Sequence, residues 1–137
     1  MIVLDTNVVS ELVKTSVDAS VKQWITETDP RDLVMTAVSR AEIMYGIARL
    51  PEGRRQEQLR RDVSEVFGTD PDGLLPFDAP AADWYGEIIA ERERGGRPIG
   101  VLDAQIAAIA RTYGASVATR NVRDFEGVGV EVVNPFE

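Results

Sequence analysis

The chain has 137 residues, a formal net charge of -8, and neither histidine nor cysteine. That length suits one domain, residues 1–137, with a proper core. The missing residue types exclude disulfides, thiol or imidazole catalysis and imidazole metal ligands, so any chemistry must rest on carboxylates, hydroxyls, Lys, Arg or Tyr.

The pattern alternates strand and helix from the first residues on. Ile2–Leu4 reads as a buried strand that ends at once in Asp5-Thr6-Asn7. Helices are expected from Val8 to about Lys14 and over Asp18–Thr28, the second with Val21, Trp24 and Ile25 on one face. After the turn Asp29-Pro30-Arg31-Asp32 comes a second strand, Leu33–Thr36. Ser39 opens a helix that runs to about Leu50, where Pro51 stops it. A charged helix over Glu52–Phe67, a loop over Gly68–Gly73 and a third strand, Leu74–Phe77, follow. Ala79–Glu93 is helical, and Gly95-Gly96-Arg97-Pro98 breaks it. The next helix, Leu102 to Tyr113, carries Leu102, Ile106, Ile109 and Tyr113 in one stripe and ends at Gly114. Ser116–Thr119 and Val130–Val133 are the fourth and fifth strands. This alternation implies a three-layer α/β/α fold around a central parallel sheet of four to five strands. No apolar run approaches the roughly 20 residues of a membrane span. No basic segment precedes the first apolar stretch, which is too short for a signal peptide. The expectation is a cytoplasmic protein with no membrane partner.

Four acidic residues fall at element junctions: Asp5 after the first strand, Glu42 in the first turn of the helix after the second, Asp103 at a helix start, and Asp124 after the fourth strand. Strand ends in a parallel sheet share the edge where such folds bind ligands. Carboxylates brought together there repel, and each raises the pKa of the others. Hard divalent cations such as Mg²⁺ or Mn²⁺ relieve that cost with oxygen ligands, and in pairs they assist phosphodiester hydrolysis. Each acid also has a structural explanation. Ser39-Arg40-Ala41-Glu42 fits a capping box, Asp103 favours a helix dipole, Asp5 can cap the first helix, and Asp124 can be a solvated loop residue.

With Ile2-Val3-Leu4-Asp5-Thr6-Asn7, Ser39-Arg40-Ala41-Glu42-Ile43-Met44-Tyr45-Gly46, Asp103-Ala104-Gln105-Ile106-Ala107-Ala108, Ala118 to Phe125 and Val133-Asn134-Pro135-Phe136 in this order, the sequence resembles the PIN-domain family of metal-dependent ribonucleases. It is most similar there to the VapC and FitB-like toxins of type II toxin–antitoxin pairs. The resemblance implies a Mg²⁺- or Mn²⁺-dependent endoribonuclease with Asp5, Glu42 and Asp103 as metal-binding acids. It also implies a fourth acidic place, filled here by Asp124 with Asn121 as a helper, or by Asn121 itself. Thr6 and Thr119 would orient carboxylates or metal waters. The implied partners are an RNA substrate, a cognate antitoxin whose basic residue can intrude into the acidic site, and a second copy in a homodimer.

The acidic balance counts against generic nucleic-acid binding. Two arginine clusters are candidates for phosphate contact: Arg49, Arg54, Arg55, Arg60 and Arg61, and then Arg92, Arg94 and Arg97. Solvated helix faces laced with ion pairs are the better explanation for most of them. Two other readings of the chain remain open. One is a non-catalytic PIN-like module that binds RNA or protein, which would be marked by loss of an acid. The other is a phosphoacceptor domain, which calls for an acidic pair at the first strand end and a late Lys; the only lysines are Lys14 and Lys22.

Overall fold

The computed structural model describes residues 1–68 and 73–137, so the loop expected over Gly68–Gly73 lies mostly outside the described residues. The strands are β1 (Ile2–Leu4), β2 (Leu33–Thr36), β3 (Leu74–Leu75), β4 (Ser116–Ala118) and β5 (Val132–Val133). The helices are α1 (Thr6–Leu12), α2 (Ala19–Glu27), α3 (Ala37–Ala48), α4 (Arg54–Phe67), α5 (Ala79–Arg94) and α6 (Val101–Thr112). All strand pairs are parallel, in the order β3-β2-β1-β4-β5.

Side chains on a strand alternate between faces, so the central strands feed two cores. Val3 of β1 and Val117 of β4 join α5 and α6, together with Phe125 and Val128. Leu4 and Ala118, one residue further on, join Val8 and Val9 of α1 and the apolar residues of α3 and α4. The result is the three-layer arrangement expected from the alternation. Helix α6 lies flush against its neighbours because Ala104, Ala107, Ala108 and Ala110 are all fully buried and small. The expected α6 stripe is correct only at its centre. Ile106 and Ile109 are buried, whereas Leu102 and Tyr113 at its ends are exposed.

Local capping sets where helices begin. Asp18 accepts hydrogen bonds from the Ser20 and Val21 amides to start α2. The hydroxyl of Thr36, at the end of β2, accepts from the Ser39 amide to start α3. Helix α3 therefore begins two residues before Ser39, so Ser39 is its third residue and not its cap. The capping box expected for Ser39 and Glu42 does not form. The chain order also creates a crevice. From β1 the strands proceed outward to β3, and the chain then crosses back to β4 on the other side of β1. In open parallel sheets, ligands bind beyond the carboxyl ends of strands at such a reversal. Asp5 and Thr119 are the residues that immediately follow β1 and β4.

Candidate active site

Asp5 is almost fully buried, although it is a carboxylate at a strand end. It is the N-cap of α1, and Thr6 and Asn7 are the first helical residues rather than a separate turn. Its Oδ1 accepts the Thr6 amide at 2.8 Å. Its Oδ2 accepts the Thr119 hydroxyl at 2.7 Å and the Asn7 amide nitrogen at 3.1 Å. Asn7 also donates to Thr119 Oγ1, and through Oδ1 it accepts the Arg120 amide. Two strand ends are thus stitched together around one carboxylate. Burial pushes the Asp5 pKa above the ordinary carboxylate value and Asp124 adds to the rise, while the bonds from Thr119, Thr6 and Asn7 oppose it.

Glu42 stands in the second turn of α3, half-buried, where its Oε1 accepts the Thr6 hydroxyl at 2.7 Å. Thr6 Oγ1 also lies 3.0 Å from Ser39 Oγ. One hydroxyl proton serves one acceptor at a time. The carboxylate is the closer and charged acceptor, so Thr6 donates to Glu42 while Ser39 donates to Thr6. Asp103, in the first turn of α6, accepts no hydrogen bond from the described residues. Its pKa is pushed up to about 6, first by burial and then by the charges of Asp5, Asp124 and Glu42.

Asp5, Glu42 and Asp103 line one cavity of about 380 Å³, with Thr6, Asn7 and Asn121 on its wall. Asn121 lines that cavity, and its amide is held by Thr119 Oγ1 at 3.0 Å. Asp124 does not line it. It lies exposed on the next 3-10 turn, near enough for its charge to act on both Asp5 and Asp103.

Among the described residues, no three acidic side chains close on a common point tightly enough to hold a metal ion as they stand. The donor chemistry nevertheless fits a hard divalent cation. A carboxylate can take about four hydrogen bonds. Asp5 takes three, Glu42 one, and Asp103 none from the described residues, so each keeps oxygen lone pairs for a cation.

Three cavity residues, Ser10, Glu11 and Lys14, belong to no sequence motif. Asn7, Ser10, Glu11 and Lys14 all line the cavity and stand at helical i, i+3, i+4, i+7 spacing. That polar stripe, running along α1 and on to Lys14 just past its end, opposite Val8, Val9 and Leu12, is the signal that could have found them. Glu11 is buried, and its Oε2 lies 2.6 Å from Lys14 Nζ. Arg120 also lines the cavity, between the two motif residues Thr119 and Asn121. Among the arginines that were candidates for phosphate contact, Arg92 is buried and donates to the carbonyls of Arg97, Asp124 and Glu126. It braces the turn that carries Asp124 and has no free face for phosphate. Arg97 pairs with Glu126. Arg49, Arg54, Arg55, Arg60 and Arg61 are solvent-exposed.

The PIN domain profile matches residues 2–131. Across its whole length the chain is 38% identical to "VapC ribonuclease Y4jK" of Sinorhizobium fredii, covering 99% of that protein. It superposes with a TM-score of 0.87 on the crystal structure of FitAcB from Neisseria gonorrhoeae, at 33% identity over 100% of this chain and 99% of that one. A toxin–antitoxin complex from Klebsiella pneumoniae matches with a TM-score of 0.69 at 25% identity, covering 100% of this chain and 99% of that chain.

Proposed function

The chain belongs to the PIN-domain family, and from that premise we propose that it is a single-domain endoribonuclease, the toxin of a type II toxin–antitoxin pair. The observation that carries this reading is the meeting of Asp5, Glu42 and Asp103 in one cavity at the strand-order reversal. Three distant parts of the sequence supply acids to one cavity, and each acid retains unused oxygen lone pairs. Asp5, Asp103 and Glu42 would hold Mg²⁺, or Mn²⁺ in its place. A divalent cation bound there supplies Lewis acidity, acidifying water and stabilising charge on phosphoryl oxygens.

The chain's own residues prepare that chemistry. Thr119 and Asn7 fix the Asp5 carboxylate in one orientation, and Thr6 does the same for Glu42. Asp103 holds its proton more tightly than an ordinary Asp when no cation is present. Asn121 offers an amide to a substrate or water at the cavity wall, and Asp124 keeps negative potential there without touching the cavity. A cognate antitoxin partner is supported by the full-length match to a toxin–antitoxin complex. A homodimer would find apolar surface at exposed Tyr45 and Leu102, which line one pocket with Ala41 between α3 and α6. No helix among the described residues is long and apolar enough to cross a membrane, which is compatible with a cytoplasmic toxin.

The test compares wild type with Glu42→Gln on total cellular RNA, with Mg²⁺ or with chelator. Glu42 plays no part in capping α3, so Gln should leave the fold intact. Wild type should cut RNA only with Mg²⁺, and Glu42→Gln should be slower by about 10–100-fold. Absence of metal-dependent cleavage by wild type would sink the nuclease reading in favour of a binding module. Equal cleavage by the variant would remove Glu42 from the site.

A further inference from the structure

The cavity wall carries two cations, Lys14 and Arg120, and they differ. Lys14 is neutralised by Glu11. Arg120 forms no ion pair with any of the described residues. It follows Thr119 at the end of β4, and its amide donates to Asn7 Oδ1 at 3.1 Å. Its backbone is therefore tied to the same residue that holds Asp5. Its guanidinium carbon lies 3.9 Å from the centroid of the Phe136 ring. That ring is itself fixed. Phe136 packs on the core formed by α1, α3 and α4, and its amide donates to Asn134 Oδ1 at 3.0 Å.

Stacking on a fixed ring restrains the guanidinium plane while leaving its in-plane N–H donors open. An exposed arginine ordinarily loses much side-chain freedom on binding; Arg120 has lost part of it already. A charge on the wall of an acidic cavity, paired with none of the described acids, is available to an incoming anion.

We propose that Arg120, stacked on Phe136, binds a backbone phosphate of the RNA flanking the one that is cut. The guanidinium takes two non-bridging phosphate oxygens side by side, which sets the register of the strand over Asp5, Glu42 and Asp103. The acidic floor alone would repel the strand, and the single fixed cation gives it an anchoring point. This inference rests on the ribonuclease reading and adds a substrate contact to it.

The probe is a fluorescein-labelled, random-sequence RNA of about 20 nucleotides, titrated over a salt series in Ca²⁺, with cleavage checked on gels. Losing one phosphate contact should reduce the slope of log affinity against log salt by about 0.7 in Arg120→Ala. Arg120→Lys keeps the charge without the flat fork and should recover the slope but not the full affinity. Phe136→Leu keeps the apolar packing and loses the ring. It should raise KM for RNA cleavage about tenfold with kcat little changed, as expected when ground state and transition state lose binding equally. An unchanged salt slope in Arg120→Ala, beside a wild type that cuts RNA, overturns this contact and leaves the ribonuclease reading standing. The contact is likewise overturned if wild type cuts total RNA but does not bind the probe. If wild type neither binds nor cuts, both fall together. A variant that loses only antitoxin binding assigns Arg120 to the protein partner and overturns the RNA contact.

Discussion

Asp5 and Asp103 face the same cavity but are held in opposite ways. Asp5 is buried under three hydrogen bonds drawn from α1 and from the residue after β4. Asp103 sits half-buried at the first turn of α6, with no donor among the described residues, surrounded at a distance by three other acids. Burial raises the pKa of both, yet only at Asp5 do hydrogen bonds offset the rise. The difference separates two tasks. The fold spends its polar contacts on one carboxylate that fixes the position of the site. It leaves another free to move toward a cation or to take a proton when none is there.

The largest effect should come from the fixed side. Asp5→Asn should reduce RNA cleavage by about 10³-fold or more, the scale of losing a preorganised charge-stabilising group. Thermal unfolding of the metal-free variant should stay close to wild type. Asn can still accept from Thr119 and Asn7 through one oxygen. Its amide then faces the Thr6 amide and loses that bond, while removal of a buried charge works in the other direction. Cleavage within tenfold of wild type would mean that the hydrogen bonds around Asp5 serve the fold alone.

Thr119→Val addresses the support rather than the acid. It removes the donor to Asp5 and the acceptor of both the Asn7 side chain and the Asn121 amide at a fully buried position. Stability should drop by about 1–3 kcal/mol, and cleavage by about 10–100-fold. Urea unfolding and initial rates measured on one preparation separate the two effects. A stability loss with unchanged rate would show that Asp5 keeps its orientation through Thr6 and Asn7.

The contrast between the two acids also marks what could be read from the sequence. Strand order in chain, the helices and the placement of Asp5, Glu42 and Asp103 at one sheet edge were legible, because apolar periodicity and junction position carry that information. The network around Asp5 was not, since Thr119 and Asn7 are 112 residues apart and meet only once β1 pairs with β4. The Ser39-x-x-Glu42 pattern misled for a related reason. A capping box is a local motif, and the competing cap, Thr36, gained its place from the strand end before it. The choice between Asn121 and Asp124 depends on how a 3-10 turn rotates its side chains, which no spacing rule specifies.

The smallest expected effect, and the one that tests the free side of the comparison, is on stability in the absence of metal. The Asp103 pKa is about 6 in the folded protein, against an ordinary 3.8. The folded state therefore binds this proton more tightly than the unfolded chain does. Below about pH 3.8 the protonated carboxyl costs the fold nothing. Between pH 3.8 and 6 the fold progressively loses that advantage, and above pH 6 the full penalty of the charge remains. Asp103→Asn removes the charge. In metal-free protein it should match wild type near pH 3.5 and be more stable by about 1 kcal/mol at pH 7, after allowing for solvent screening of a half-exposed group. For a domain of this size that is a rise in Tm of about 3 °C. Added Mg²⁺ should reverse the order at pH 7, because a ligand bound only to the folded state stabilises the protein whose site is intact. Stability curves for the two proteins that run parallel from pH 3.5 to 7 would show that Asp103 is as well accommodated as Asp5, and the division between a fixed and a free carboxylate would be lost.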